Sequence, residues 1–332
     1  MIQEKADDPG EVLRVSHVSN FYDDGSGFLH RGNKGRQVLH DVSFCIRRNE
    51  FFGLVGESGC GKSTLGNAIL GLIPFEGSVR LAGREASQMS RLERTSIVQA
   101  VFQDPMSSLN PKKTIGFTMR EPLRAHRIGT AGEQQEAVRR MLERVGLDAG
   151  YALRYPRELS GGQRQRVCIG ASLMLEPKLV IADEAVSALD VSVGAQILNL
   201  FQEIHDRRDF SMLFISHNMN VVYYLCDRIA VMYRGRIVEL GTAQEVYRNP
   251  LHPYTKLLLS SVPDWNVPIE DEEALAGNGE TPAWGNKEEP LEASEMCPDG
   301  LTMVNMAKKG EEEHLVLCGI NGKKGVYYHG HE

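Results

Sequence analysis

The sequence predicts an α/β fold in which helices cover a mainly parallel sheet and a helical lobe is inserted between the strands. After residue 173, apolar runs of strand length at 179–182, 211–215 and 229–232 alternate with stretches of helical spacing. Residues 114–147 differ, because their apolar positions fall on one helical face beside Glu and Arg. A hydrophobic content of 42% over 332 residues is enough to fill a sizeable core.

The N-terminal part contains further strands and a helix that the spacing of apolar residues predicts. Apolar residues alternate with polar ones at 11–19 and 38–46, which predicts two strands separated by a Gly-, Asp- and Arg-rich loop. A short apolar run and a glycine-rich turn then lead into helical spacing. Strands are expected at 11–19, 38–46, 51–55 and 97–102, and helices at 64–72 and 164–175.

The composition changes after Pro263, where Glu, Gly, Pro and Asn become frequent and aliphatic residues sparse. Residues 265–332 contain 14 acidic and 5 basic residues, a net charge of −9, whereas residues 1–264 carry +2. We therefore expect a main domain over 1–264, with the helical lobe at about 105–172. An acidic linker and a small extension over 265–332 should follow, with two short strands at 315–318 and 326–328.

Charge and composition also exclude several classes of protein. A near-neutral main body and a pI near 5.9 give no electrostatic signal for a nucleic-acid partner. No stretch approaches the roughly 18 to 20 apolar residues of a membrane-spanning helix, and residues 1–10 are acidic rather than signal-like, so a cytosolic location is expected. Six scattered cysteines without a Cys-x-x-Cys spacing predict reduced thiols rather than a disulfide framework.

The strongest motif fits G-x-x-x-x-G-K-[ST] and lies between a predicted strand and a predicted helix. Glycines let the backbone curl so that successive N–H groups point at phosphate oxygens, and the helix N-terminus adds partial positive charge. Lys62 should reach the β and γ phosphates, and the Ser63 hydroxyl should hold Mg²⁺. The predicted phosphate-binding residues are Gly56, Glu57, Ser58, Gly59, Cys60, Gly61, Lys62, Ser63 and Thr64.

Two adjacent carboxylates, Asp183 and Glu184, end the apolar run at 179–182. A phosphate site that hydrolyses its nucleotide needs a metal-holding acid and a group that polarises the attacking water. Side chains alternate along a strand, so the two acids should point in different directions and take different roles. We assign Asp183 to the shell of Mg²⁺ and Glu184 to the water.

A third motif, Leu-Ser-Gly-Gly-Gln, lies between these two, and with it the chain resembles an ABC-type ATPase subunit over residues 11–263. The resemblance implies an ABC-type P-loop ATPase with a RecA-like parallel-sheet core, an antiparallel β subdomain, an inserted helical lobe and here a short C-terminal appendage. It also implies that the motif contacts the γ phosphate held by an opposite subunit. The residues concerned are Ser160, Gly161, Gly162 and Gln163.

Four further positions match the same family one by one. The resemblance implies that Gln103 is the loop glutamine that senses Mg²⁺ and couples to the membrane partner. It also implies that Asp190 belongs to the loop that bridges the two nucleotide sites, each of which is shared between two subunits. It makes His217 the switch histidine on the γ phosphate. Tyr22 is the expected aromatic on adenine, with Phe21 as the alternative.

The chain departs from the family pattern after the catalytic glutamate, where Ala185-Val186 replaces the usual Pro-Thr. Proline stiffens a turn, so we expect the positioning of Glu184 to be looser than in the family. Cys60 occupies a variable position and is interpreted as a packing residue rather than a redox sensor.

Longer segments at 55–66, 102–111 and 249–255 are similar to the oligopeptide, dipeptide and nickel importer branch, particularly its second ATPase subunit. Members of this branch often end in a cysteine-rich domain that can hold an iron-sulfur cluster. Only two cysteines occur in this tail, short of the four thiolates such a cluster commonly uses, so no cluster or other tail metal is expected. The tail residues considered as ligands are Cys297, Cys318, His314, His329 and His331.

The resemblance implies an ATPase with ATP and Mg²⁺ as nucleotide and metal, at the cytoplasmic face of the cell membrane. Its partners would be a second, non-identical ATPase subunit, two transmembrane permease subunits and, indirectly, an external substrate-binding protein. Oligopeptides or dipeptides are the expected cargo, and nickel or another metal chelate is the alternative. A soluble ABC protein of DNA repair or translation would need a second cassette or a coiled-coil insert, and this sequence has room for neither. A non-hydrolysing ATP-binding module would lack Glu184 or His217, and both residues are present.

Overall fold

The computed structural model describes residues 10–22, 36–206, 210–260, 301–305 and 314–319. The strands are β1 (Glu11–Tyr22), β2 (Arg36–Arg47), β3 (Phe51–Val55), β4 (Glu76–Leu81), β5 (Arg84–Glu85), β6 (Val98–Val101), β7 (Leu179–Asp183), β8 (Ser211–Ser216), β9 (Arg228–Tyr233), β10 (Arg236–Thr242), β11 (Leu301–Asn305) and β12 (Leu315–Gly319). The helices are α1 (Lys62–Leu70), α2 (Arg91–Ile97), α3 (Pro105–Ser108), α4 (Ile115–Ala125), α5 (Ala131–Arg144), α6 (Gly161–Leu173), α7 (Val191–Asp206), α8 (Met219–Leu225), α9 (Ala243–Arg248) and α10 (Pro253–Ser260). Short 3-10 turns lie at Ala86–Gln88, Ala149–Leu153 and Pro156–Glu158.

The core is an eight-stranded sheet in the order β11-β12-β10-β9-β3-β8-β7-β6. Strands β9, β3, β8, β7 and β6 run parallel, and β10 pairs antiparallel with β9. Every residue of β3 and β8 is buried, as expected for parallel strands covered on both faces. Because β3 is flanked by parallel strands on both sides, the loop that follows it opens at the middle of the sheet edge.

A second, antiparallel sheet in the order β2-β1-β4-β5 covers one face of the core. The packing residues Val15, Leu39 and Val79 from this sheet share one buried cluster with Leu65 of α1 and Ile215 of β8. This is the antiparallel subdomain that the family resemblance implies.

The inserted lobe consists of α4, α5 and α6. Met119 of α4, Leu142 of α5 and Val167 of α6 are fully buried and belong to the same cluster as Phe51 and Phe214 of the core sheet. The lobe is therefore packed onto the sheet through a continuous apolar core, which confirms the predicted helical insertion.

Most boundaries agree with the sequence patterns, and the differences have local causes. The first helix covers Lys62–Leu70 rather than 64–72, because Gly71 adopts a left-handed conformation and ends it. The strand predicted at 97–102 is limited to Val98–Val101, since Ile97 still belongs to α2 and Phe102 is 41% exposed. Likewise, α6 begins at Gly161 because Ser160 caps it.

The C-terminal extension contributes two described strands to the core sheet. β12 pairs antiparallel with β10, matching Glu239 with Val316, and β11 pairs with β12. The strand expected at 315–318 is confirmed, whereas that at 326–328 lies outside the described residues. In the described part of the chain, every helix is too short or too polar to cross a membrane.

Candidate nucleotide site

The phosphate loop connects β3 to α1, at the position that its motif requires. Lys62, the first residue of α1, is only 4% exposed. Its ammonium group donates hydrogen bonds to the carbonyl oxygens of Gly56 and Glu57, at 2.7 and 2.8 Å. The lysine charge therefore lies inside the curve of the loop, where a phosphate group would be bound.

Ser63 and Asp183 meet across the gap between α1 and the end of β7. The Ser63 hydroxyl donates to Asp183 Oδ1 at 3.2 Å, although the two residues are 120 positions apart. Burial raises the pKa of the Asp183 carboxyl, while the Ser63 hydrogen bond opposes that rise. Two adjacent oxygen donors, one of them a carboxylate, fit a Mg²⁺ ion, which prefers oxygen ligands.

Glu184 follows Asp183 and faces His217 at the end of the neighbouring strand. Its Oε1 lies 3.3 Å from His217 Nδ1, and the Glu184 side chain is 17% exposed against 51% for His217. The parallel pairing of β7 with β8 brings these residues together. The pair forms a carboxylate and an imidazole at the edge where the phosphate loop also lies, which suits general-base chemistry.

The backbone at Glu184 is held on both sides. The residue adopts a left-handed conformation, φ 48°, and its N–H donates to Ile215 O at 2.9 Å. The N–H and hydroxyl of Ser187 both donate to the Glu184 carbonyl oxygen, at 3.1 and 2.9 Å. Ala185 is buried, so this turn is fixed by hydrogen bonds and packing even though the family's proline is absent.

Gln103 lies two residues beyond the end of β6 and is exposed. The register pairs Val101 with Ala182, so Gln103 leaves the sheet at the same edge as Asp183. The structure thus places Gln103 at the sheet edge that also carries Asp183, the predicted Mg²⁺ ligand.

The signature segment forms the N-terminus of α6. Ser160 Oγ accepts from the Gln163 N–H at 3.3 Å, and Gln163 Oε1 accepts from the Ser160 N–H at 3.0 Å. This reciprocal capping box leaves the N-terminus of the helix at the surface. Gln163 Nε2 also donates to the Tyr151 hydroxyl at 2.9 Å, so the glutamine is fixed within the lobe.

Asp190 lies directly before α7, as Ser160 lies directly before α6. Its Oδ1 accepts from the Val193 N–H at 2.9 Å and from the Ser192 hydroxyl at 2.8 Å. These hydrogen bonds lower the pKa of the Asp190 carboxyl. Within one chain, Asp190 is therefore a helix-capping residue.

A cavity of about 750 Å³ opens beside the phosphate loop. Tyr22, the residue predicted to stack on adenine, ends β1, where its backbone pairs with Arg36, a residue that lines the cavity. The lining residues are Arg36, Gln37, Val38, His40, Glu57, Ser58, Gly59, Cys60, Tyr233, Arg234 and Gly235.

The turn between β9 and β10 is a part of this wall that sequence reasoning missed. The Gly235 N–H donates to the Cys60 carbonyl oxygen at 2.7 Å, and the Gly235 carbonyl oxygen accepts from the His40 N–H at 2.9 Å. The turn thus joins the phosphate loop to β2. An Arg-Gly pair after an apolar run signals only a turn, so nothing local indicated this contact.

Of the five tail residues considered as metal ligands, His314 and Cys318 lie in the described part of the chain, and Cys318 of β12 pairs with Thr302 of β11. His314 is buried, and its Nε2 lies 2.8 Å from Glu239 Oε1. Cys297, His329 and His331 lie outside the described residues.

A parallel sheet with a phosphate loop at its centre, a serine and an aspartate suited to Mg²⁺, and a nearby Glu-His pair define a P-loop nucleotide hydrolase. The family model "ABC transporter" matches residues 39–187, and the model "Oligopeptide/dipeptide transporter, C-terminal region" matches residues 238–293. The chain belongs to the ABC transporter family, in its oligopeptide and dipeptide transporter branch, as an ATP-binding subunit. Its activity is ATP hydrolysis coupled to transport.

Relatives match most of the chain. The oligopeptide transport ATP-binding protein AppF of Bacillus subtilis (strain 168) is 40% identical over 93% of this chain and 97% of its own length. A putative peptide import ATP-binding protein of Brucella ovis is 42% identical over 92% and 97%. The glutathione import ATP-binding protein GsiA of Pectobacterium atrosepticum is 41% identical over 93% of this chain but only 49% of its own length.

Solved structures confirm the fold. The ATP-binding cassette MJ0796, a dimer in a post-hydrolysis state bound to ADP and Pi, is 26% identical with a TM-score of 0.60, covering 70% of this chain and 98% of that one. The cbiO1 subunit of Clostridium perfringens is 24% identical with a TM-score of 0.63, covering 72% and 92%.

Proposed function

We propose that this subunit hydrolyses ATP at the site described and so powers the import of oligopeptides or dipeptides. The assignment of the cargo rests on the names of the relatives. Two are named for the transport or import of peptides, and a third is named for the import of glutathione, itself a small peptide. The match to the oligopeptide and dipeptide C-terminal region supports the same class of cargo.

One observation carries the assignment of the chemistry: Ser63–Asp183 at 3.2 Å and Glu184–His217 at 3.3 Å lie at the same sheet edge. Lys62 binds the β and γ phosphates, and Ser63, Asp183 and Gln103 hold Mg²⁺, which neutralises phosphate charge when bound. Glu184 accepts a proton from the attacking water. His217 orients that carboxylate and contacts the γ phosphate. Tyr22 at the end of β1 supplies the aromatic surface for adenine.

The site is completed by a second chain. The exposed N-terminus of α6, with Ser160, Gly161 and Gly162, presents a hydroxyl, N–H groups and the positive end of a helix dipole. In a head-to-tail pair with a second, non-identical ATPase subunit, these groups reach the γ phosphate of the opposite chain. Asp190 shapes the loop between the two composite sites.

The pair docks on two permease subunits at the cytoplasmic face of the membrane, with an external binding protein delivering cargo. ATP-driven closure of the pair moves the helical lobe, and hydrolysis reopens it.

The substitution Glu184→Gln tests the catalytic role. The variant should retain ATP affinity but release phosphate about 100-fold or more slowly, as for loss of a general base. Glu203→Gln, an exposed change on α7, is the matched control and should hydrolyse at the wild-type rate. A turnover of Glu184→Gln close to that of the control would refute the assignment.

The cargo is tested with the subunit assembled with its permeases and binding protein in proteoliposomes. Labelled di- or oligopeptides should accumulate and stimulate phosphate release, and Ni²⁺ should not. Stimulation by Ni²⁺ alone would contradict the peptide assignment.

A further inference from the structure

Tyr254 of α10 contacts the phosphate loop from outside the site already described. Its ring is 1% exposed, and its hydroxyl accepts the Glu57 N–H at 2.9 Å. The two residues are 197 positions apart. The Tyr254 ring also lies 4.3 Å, centroid to centroid, from Tyr233 in the cavity wall.

This contact helps to fix one residue of the loop, Glu57, at both its N–H and its carbonyl oxygen. The Glu57 carbonyl oxygen accepts from Lys62 Nζ at 2.8 Å, while the Glu57 N–H is bound by Tyr254. The Glu57 backbone therefore cannot rotate without breaking a partly buried hydrogen bond at its N–H or at its carbonyl oxygen. The curve that places Lys62 inside the loop depends on both contacts.

The segment that carries Tyr254 is in turn held by Glu239 of β10, whose side chain is fully buried. Glu239 Oε1 accepts from the Leu251 N–H at 2.8 Å, and Oε2 accepts from the His252 N–H at 3.0 Å. His252 Nδ1 then accepts from the Tyr254 N–H at 3.2 Å. The start of α10 is thus attached to the core sheet through one carboxylate.

The same carboxylate is bound by the C-terminal extension. His314 Nε2 lies 2.8 Å from Glu239 Oε1, and His314 is 5% exposed. The strand that follows it, β12, pairs Val316 with Glu239 and Leu315 with Leu240. With β12 docked, His314 adds a third partner to a buried carboxylate that the Leu251 and His252 N–H groups already bind, so the docked strand and the start of α10 share one anchor.

We propose that His314, Glu239 and Tyr254 form a buried relay that couples docking of the C-terminal strand to the geometry of the phosphate loop. Tyr254 is a positioning residue, and the relay makes nucleotide affinity depend on the tail. Coupling of this kind is reciprocal, so bound nucleotide must also stabilise the docked strand. The inference rests on nucleotide binding at this loop and adds a regulatory contact to it.

Two variants and a control test the relay by titration of the full-length protein with a fluorescent ATP analogue. Tyr254→Phe removes only the hydroxyl and should weaken binding about five- to tenfold, since the partly buried Glu57 N–H loses its partner in the phosphate loop. His314→Ala should weaken it about two- to fivefold. The control is Tyr247→Phe, which removes a hydroxyl that donates to Asn220 Oδ1 at 2.8 Å away from the loop, and it should bind like wild type.

The double variant separates a relay from two independent structural effects. If the tail acts through Tyr254, His314→Ala should add less than twofold in the Tyr254→Phe background. Fully multiplicative losses would overturn the relay. So would wild-type affinity in either single variant.

Hydrogen exchange provides a readout that does not depend on activity. In wild type, the ATP analogue should slow exchange at Leu315 and Val316, and in Tyr254→Phe this protection should be lost while it persists in Tyr247→Phe. Nucleotide-independent exchange of the strand in wild type would overturn the coupling. If wild type and Tyr247→Phe bind no nucleotide, the proposed function fails with the relay; if both bind and Tyr254→Phe binds equally, the relay alone fails.

Discussion

The substitution Gly235→Ala should damage the nucleotide site although residue 235 belongs to no known motif of the phosphate loop. Gly235 adopts φ +76°, a conformation that costs about 1–2 kcal/mol for a residue with a Cβ. An added Cβ would lie 2.0 Å from the Val38 carbonyl oxygen, which is backbone and cannot rotate away. The turn must therefore move.

Moving the turn breaks the two backbone hydrogen bonds that Gly235 makes with Cys60 and His40. At about 1 kcal/mol each, their loss together with the strain gives about 3–4 kcal/mol. Because the Cys60 carbonyl belongs to the phosphate loop, we expect ATP affinity to fall about tenfold, equivalent to about 1.4 kcal/mol.

Gly83→Ala is the matched control, because Gly83 has φ +80° but open space around an added Cβ. It should cost only the backbone strain, about 1–2 kcal/mol, and leave ATP affinity within about twofold of wild type. Urea denaturation measures the first quantity and fluorescence titration the second. Equal destabilisation and equal affinity in both variants would refute the reasoning.

Three shorter predictions follow. Arg228→Met should lower the free energy of unfolding by about 3–5 kcal/mol in urea denaturation, because it leaves the Glu50 carboxylate buried without the guanidinium that lies 3.1 Å away. Adding Glu50→Gln should restore part of that loss. A loss below about 1 kcal/mol in Arg228→Met would contradict the pairing. The Ser90 N–H and hydroxyl, with Arg84 nearby, lower the pKa of Glu93 to about 2. The Glu93 carboxylate therefore stabilises the fold above the ordinary carboxyl pKa, and this contribution is lost as the pH falls toward 2. NMR titration of the Glu93 carboxyl should show this value, and an unshifted midpoint would show that the capping box does not form in solution. Lys62→Ala should weaken ATP binding in fluorescence titration, whereas unchanged affinity would place the phosphates elsewhere.

Much of the fold and the site followed from sequence, because its signals are local. The phosphate loop needs glycines, a lysine and a serine at fixed spacing between a strand and a helix, and all are contiguous in the chain. The pair Asp183 and Glu184 ends an apolar run, and parallel strands place such residues at one sheet edge. The same holds for the capping box of Ser160 and Gln163, which closes within four residues.

Strand boundaries and the short β strands were less predictable. Strands β4, β5, β10 and β11 have few or mixed apolar positions, and each is stabilised by pairing with a neighbouring strand. Pattern alone carries little information about such pairing, because strand propensity depends on context.

The sequence by itself thus determined which chemical groups this ATPase possesses and which short segments present them. Tertiary structure alone decided which distant groups meet: Glu184 with His217, the β9–β10 turn with Cys60, and Tyr254 with Glu57. The reason is that a motif is set by backbone conformation and hydrogen bonds over a few residues. Contacts across tens to hundreds of residues depend instead on strand order and on the burial of a shared apolar core.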